Sequence, residues 1–126
     1  MTKSLSILVA DDVEEIQNVI AQWLRARGHR VECASSGEAA IRLTKSHAFD
    51  LVIADVLMPD SDGLDLMREL TTRLPATRIL VISGGGRYIR AADCIKLAVG
   101  LGAHASILKP FTEAQLQDGI TAALAS

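Results

Sequence analysis

The stretch Leu51-Val52-Ile53-Ala54 is apolar without alternation and runs straight into Asp55. A strand with no polar face suits a sheet covered on both sides, and such sheets are typically parallel. Neighbouring parallel strands cannot be joined by a tight turn. They need a long crossover, most often a helix. One such run decides little, but four further strand-length segments occur along the chain, and each is followed by a helical pattern.

Leu5 to Ala10 reads as the first strand and ends in Asp11-Asp12. Asp12 begins a helix, with Glu15 as its capping-box partner. Val13, Ile16, Val19, Ile20, Trp23 and Leu24 recur at helical spacing and predict one buried stripe. Gly28 stops that helix. Arg30 to Ala34 is the second strand, and Ser35 with Glu38 caps a helix covered by Ala40, Ile41 and Leu43. The third strand is Leu51 to Ala54. After it come Asp55, a loop with Pro59, Asp60 and Asp62, and a helix from Gly63 to about Leu74 with Leu66, Met67 and Leu70 in the core. Pro75 ends that helix. Arg78 to Ile82 is the fourth strand and leads into Ser83-Gly84-Gly85-Gly86. A helix from about Tyr88 to Leu101 stops at Gly102. His104 to Leu108 is the fifth strand, ending in Lys109-Pro110. The last helix starts at Thr112, capped with Gln115, and runs through Leu116, Ile120 and Leu124. Five strands alternating with five helices predict an α/β fold: a parallel sheet with helices on both faces, joined by right-handed crossovers.

A chain of 126 residues is expected to form a single domain, residues 1–126. With only 3% aromatic residues, its core must be built from Leu, Ile, Val and Ala. A net charge of -2 argues against direct affinity for nucleic acid, which needs clustered cationic surface. Cys33 and Cys94 form no CxxC or zinc spacing, so a reduced cytosolic pair is expected. No stretch is long and apolar enough for a signal peptide or a membrane span, so the expectation is a cytoplasmic protein without membrane contact.

The residues at the strand ends carry the chemistry. The first strand ends in Asp11 and Asp12, the third in Asp55, the fourth in Ser83 and the fifth in Lys109. In a parallel sheet these mouths point the same way, into the crevice where ligands bind. Close carboxylates repel by roughly 4 kcal/mol per pair at a surface-like dielectric. They must therefore take up a proton or hold a cation. Oxygen ligands alone, with a carbonyl such as that of Leu57, suit Mg2+ rather than zinc. A carboxylate can also accept a phosphoryl group as an acyl phosphate, and Mg2+, Lys109 and Ser83 can meet the charge on its oxygens. Gly84 leaves room beside Ser83. A metal-dependent phosphatase is disfavoured, because the second acid such enzymes place two residues on is absent: Val13 follows Asp11 and Leu57 follows Asp55 at that spacing. A nucleotide-binding reading of the glycines fails because the third glycine of GxGxxG would fall at Ile89.

These residues bring a family into view. Ile7-Leu8-Val9-Ala10-Asp11-Asp12, Ser36-Gly37-Glu38-Ala39-Ala40, Asp50 to Asp55 with Met58-Pro59 and Asp62-Gly63, Ile82-Ser83-Gly84, Gly102-Ala103 and Lys109-Pro110-Phe111 occur in order. The chain resembles the receiver domain of bacterial two-component response regulators, of the stand-alone type. The resemblance implies a flavodoxin-like, doubly wound (βα)5 sheet of order 2-1-3-4-5. It makes Asp55 the phosphoacceptor. Asp11, Asp12, Asp55 and the Leu57 carbonyl would hold Mg2+, and Ser83 and Lys109 would contact the phosphoryl group. It implies a cis Lys109-Pro110 bond. The donor would be a sensor histidine kinase or a phosphotransfer protein, and the output would pass to a downstream protein partner, with the receiver a monomer or weak dimer. It also implies a signalling domain that assists its own phosphorylation and dephosphorylation rather than an enzyme. There are two departures. Ser106 stands where receivers usually carry Tyr or Phe, and the stretch from Ser83 to Lys109 is longer by about one helical turn. Switching is therefore expected through the glycine-rich loop, with Tyr88, and the helix after strand four, which Arg87, Arg90 and Lys96 make basic. The lost aromatic is also the one feature that favours the alternative, a pseudo-receiver binding module that is not phosphorylated.

Overall fold

A computed structural model of the chain describes residues 4–55, 62–84, 96, 99–100 and 102–125. Leu57, Pro59, Asp60, Gly85 to Arg90 and Cys94 lie outside the described residues, as do the side chains of Asp62 and Gly63. The expectations placed on them are not addressed by it. Lys96 is helical and exposed. The described elements are β1 (Ser6–Ala10), α1 (Glu14–Ala26), β2 (Arg30–Ala34), α2 (Gly37–Ser46), β3 (Leu51–Asp55), α3 (Asp62–Arg73), β4 (Arg78–Ser83), β5 (Ala105–Leu108) and α4 (Glu113–Ala125).

All strand pairs are parallel and the sheet order is β2-β1-β3-β4-β5. This is the doubly wound, flavodoxin-like order that the resemblance implies. Side chains alternate between two cores. Leu8, Ala10, Val52, Ala54, Ile79 and Val81 meet Ala40 of α2 and Leu66, Met67 and Leu70 of α3. Ile7, Val9, Leu51, Ile53, Leu80 and Ile82 meet Ile20, Ala21 and Leu24 of α1 and Leu116, Ile120 and Ala123 of α4. Burial on both faces is why these strands show no polar alternation. Among the described residues no helix is long and apolar enough to cross a membrane.

Several local expectations are corrected. Asp12 does not cap α1. The helix begins at Glu14, its N-cap is Val13, and no side chain bonds the first turn as a cap. Instead Asp11 Oδ1 accepts the Val13 N–H at 2.9 Å, and the Asp12 carboxylate joins an acidic cluster described below. The cap of α2 is Ser36, whose Oγ accepts from Ala39 N at 3.1 Å, rather than Ser35. Val13, the N-cap, and Val19, which points away from the face of α1 that buries Gln17, Ile20, Ala21 and Leu24, are exposed rather than core, as is Leu124. Trp23 is only partly buried and packs edge-on against Phe111, with ring centroids 6.3 Å apart. The Thr112–Gln115 capping box forms reciprocally: Gln115 N donates to Thr112 Oγ1 at 3.1 Å and Thr112 N to Gln115 Oε1 at 2.8 Å. Gly28 and Gly102 adopt φ of 90° and 110°, the left-handed region that suits glycine.

The end of the sheet opposite the strand mouths is closed by side chains. His29 Nδ1 accepts the Leu5 N–H at 3.0 Å. His104 Nδ1 accepts the Ile79 N–H at 3.0 Å. Asp50 Oδ2 accepts the Ser6 N–H at 2.8 Å. A ring nitrogen that accepts must be unprotonated. Burial, helped by Arg27 near His29 and Arg78 near His104, lowers both histidines from 6.5. Their contribution to stability is therefore complete above pH 6.5. It is lost as the pH falls toward the lowered folded values, because the unfolded chain takes up protons first. Thermal melting is expected to shift down between pH 7.5 and pH 5, and His29→Gln to flatten that dependence. An equally steep profile in His29→Gln would contradict the assignment for His29.

Candidate functional site

The sheet register brings the strand mouths together. Ala10 of β1 is level with Ala54 of β3, so Asp11 and Asp55 follow at the same height on adjacent strands. Asp55 is level with Ile82, and Ser83 with Leu108. Ser83 and Lys109 therefore stand one and two steps above Asp55 on its other side. The chain after β5 is tied in by Lys109 N, which donates to Ser83 O at 2.9 Å. The Lys109-Pro110 bond is cis, as expected.

Asp11, Asp55 and Ser83 are almost fully enclosed, at 1%, 4% and 0% exposure, while Asp12 is exposed. One carboxylate oxygen from each of Asp11, Asp12 and Asp55 lies within 4.8 Å of the others. Lys109 bridges two of the three. Its Nζ is 2.8 Å from Asp55 Oδ2 and 3.0 Å from Asp11 Oδ2. The lysine stem runs beside Gly84, where an added Cβ would come within 3.3 Å of Lys109 Cβ and Cδ. Glycine there leaves space for the lysine itself, a use of Gly84 that the sequence did not suggest.

The electrostatics follow from enclosure. Burial pushes Asp11 above the usual carboxylate range. The Asp55 charge adds to that, while the Val13 N–H and Lys109 oppose it. Burial by itself would lower Lys109. Its hydrogen bonds to Asp55 and Asp11 and the attraction of both acids outweigh that and leave it above its ordinary 10.5. Asp11 Oδ2 is enclosed and pairs with that ammonium at 3.0 Å. A group of three aspartates with oxygen donors only fits a hard divalent cation such as Mg2+.

Sequence reasoning passed over Gln17. It is 5% exposed, and its amide donates to the Asp11 and Ala34 carbonyls and to Ser35 Oγ. The available signal was its place on α1, four residues after Val13 and three before Ile20. A polar group on a buried stripe needs partners.

Residues 7–121 match the family model described as the response regulator receiver domain. The chain belongs to that family. This receiver is 36% identical over 121 residues to the DNA-binding transcriptional regulator NtrC of Azospirillum brasilense, covering 96% of the receiver and 24% of NtrC. It is 37% identical over 110 residues to the response regulator GtcR of Aneurinibacillus migulanus, covering 86% and 43%. The receiver thus spans less than half the length of these curated relatives. Among solved structures it superposes on a response regulator receiver domain protein from Clostridium thermocellum with a TM-score of 0.83 and 31% identity, covering 95% of this chain and 94% of that one. It superposes on NtrX from Brucella abortus with a TM-score of 0.88 and 29% identity, covering 98% and 27%. The receiver is a signalling domain of two-component systems. Ser106 lies within β5, level with Val81 and half-buried.

Proposed function

We propose that this receiver takes a phosphoryl group onto Asp55 from a phosphohistidine on a sensor histidine kinase or phosphotransfer protein, in a reaction that needs Mg2+. The observation that carries the reading is the enclosed Asp55 carboxylate at a strand mouth, 2.8 Å from Lys109 Nζ and beside two further carboxylates. An Asp55 oxygen forms a bond to phosphorus as the N–P bond breaks, and the bonding pair stays on the imidazole nitrogen. The product is an acyl phosphate. Water attack at phosphorus later restores the carboxylate and releases inorganic phosphate. Asp11, Asp12, Asp55 and the Leu57 carbonyl would hold Mg2+, which when bound neutralises charge on the phosphoryl oxygens. Lys109 supplies a second positive charge to those oxygens, and Ser83 Oγ a hydrogen bond. The receiver assists its own phosphorylation by this placement. Residues 1–126 would form one receiver domain, acting in the cytoplasm.

Signal output would pass to a protein partner through the loop and helix after β4, since Ser106 cannot supply a ring that turns inward. Phosphorylation is then expected to move the amide resonances of residues 84–90. Silence there, with shifts elsewhere, would remove this route. The core reading is tested by labelling with a small acyl phosphate. One phosphoryl group per chain is expected, absent when EDTA is present during the reaction and cleaved afterwards by hydroxylamine. Labelling that survives both treatments would contradict an acyl phosphate made with Mg2+.

A further inference from the structure

We propose that Gln17 is a positioning residue for the Asp11–Asp12 pair, and that it sets how tightly the acid cluster holds a divalent cation. The inference rests on the reading of that cluster as a cation site.

The reasoning starts where the sheet ends. Asp11 N still has a ladder-like partner, since it donates to Ala34 O at 3.1 Å. The next backbone group is the Asp11 carbonyl. It lies beyond the last paired residues of β1, Ala10 with Ala34 and Ala10 with Ala54. Gln17 Nε2 donates to this carbonyl, and also to Ala34 O at 3.1 Å and Ser35 Oγ at 3.0 Å. An amide carries two hydrogens, so one of them is shared among the three bonds.

The Asp11 carbonyl belongs to the planar peptide that joins Asp11 to Asp12. Fixing that plane fixes ψ of Asp11 and φ of Asp12. Those two angles decide where both carboxylates leave the backbone. Asp11 Oδ1 is already committed to the Val13 N–H at 2.9 Å, and Oδ2 faces Lys109 Nζ at 3.0 Å. One buried side chain on α1 therefore holds the peptide between two of the three acids and ties it to the turn after β2. It does so without adding charge. An ammonium or guanidinium in its place would repel a cation, whereas the amide only orients the ligands. Groups that orient ligands in this way typically change metal affinity 10–100-fold when removed.

The test compares Gln17→Met, which keeps the length and loses the donors, with the intact receiver. Mg2+ binding is followed by amide NMR shifts at a temperature where both are folded, and thermal melting is recorded separately. Ser36→Ala serves as a matched control, because it removes the α2 cap without touching the Asp11–Asp12 peptide. The expected result is a Mg2+ dissociation constant raised about tenfold or more in Gln17→Met and unchanged in Ser36→Ala, even though both melt lower. Should Gln17→Met fail to fold, Gln17→Asn, with its amide one methylene short, carries the same expectation. A lower melting temperature with an unchanged Mg2+ dissociation constant would make Gln17 a packing residue only and overturn the proposal. If the intact receiver itself shows no Mg2+ shifts, the cation-site reading fails first, and the inference falls with it.

Discussion

Asp55→Asn is expected to reduce labelling by a small acyl phosphate to background while the protein stays folded. The substitution keeps the shape of the side chain and removes the nucleophilic oxygen. It takes away the 2.8 Å ion pair with Lys109, but it also removes a like charge from beside Asp11, and Lys109 keeps its 3.0 Å contact with Asp11. The two losses oppose each other, so the fold should tolerate the change. Mg2+ binding should weaken, because one of the three clustered carboxylates is gone. Intact-mass spectrometry after incubation with donor and Mg2+ reads the labelling, circular dichroism the fold, and isothermal titration the metal affinity. Labelling that persists in Asp55→Asn would move the acceptor role to another residue.

Lys109→Ala separates two effects that are often confused. Its ammonium lies on Asp11 Oδ2 and Asp55 Oδ2, carboxylate oxygens of the cluster that a cation would use. Removing it removes a competing charge. A close charge at an effective dielectric near 20 interacts by about 4 kcal/mol, and about 1.4 kcal/mol is tenfold in affinity. Mg2+ should therefore bind about tenfold tighter or more. Phosphoryl transfer should fall by roughly 10²–10³, the usual loss when one donor to a developing oxyanion is deleted. Binding and reaction thus move in opposite directions. Without metal, two enclosed carboxylates lose their counter-charge, and stability should fall by about 3 kcal/mol, the low end for breaking a buried pair. Added Mg2+ should restore it. Isothermal titration, single-turnover labelling and urea unfolding with and without Mg2+ check the three statements. If Mg2+ affinity and transfer rate both fell, Lys109 would be a structural support for the metal site instead of a partner of the phosphoryl group.

Strand positions were legible in the sequence because burial on both faces erases alternation, and no short helix mimics that beside regular capping and turn signals. Arg30–Ala34 was read with its observed limits, while β3, β4 and β5 moved by one residue at one end. Caps were less legible. The pattern of Asp12 with Glu15 looks like that of Thr112 with Gln115, yet only the second forms. The difference is competition. The Asp12 carboxylate, which would have to accept the Glu15 N–H, stands with Asp11 and Asp55 instead. Ser35 and Ser36 divide in the same way: Gln17 takes the Ser35 hydroxyl, and Ser36 caps α2. Which of two adjacent polar residues caps a helix depends on contacts far away in sequence, so local spacing cannot decide it. The convergence of Asp11, Asp12, Asp55 and Lys109 was legible because parallel strands carry their last residues to one edge. The bridging of Asp11 and Asp55 by Lys109 was not, since it depends on the offset between β3 and β5 across β4.

The most direct test is a crystal structure of the receiver grown with magnesium and beryllium fluoride. The account requires beryllium bonded to an Asp55 oxygen, magnesium held by Asp11, Asp12 and Asp55, and Lys109 Nζ moved from Asp11 to a fluoride. A structure in which Lys109 still bridges Asp11 and Asp55, with no fluoride on Asp55, would contradict it.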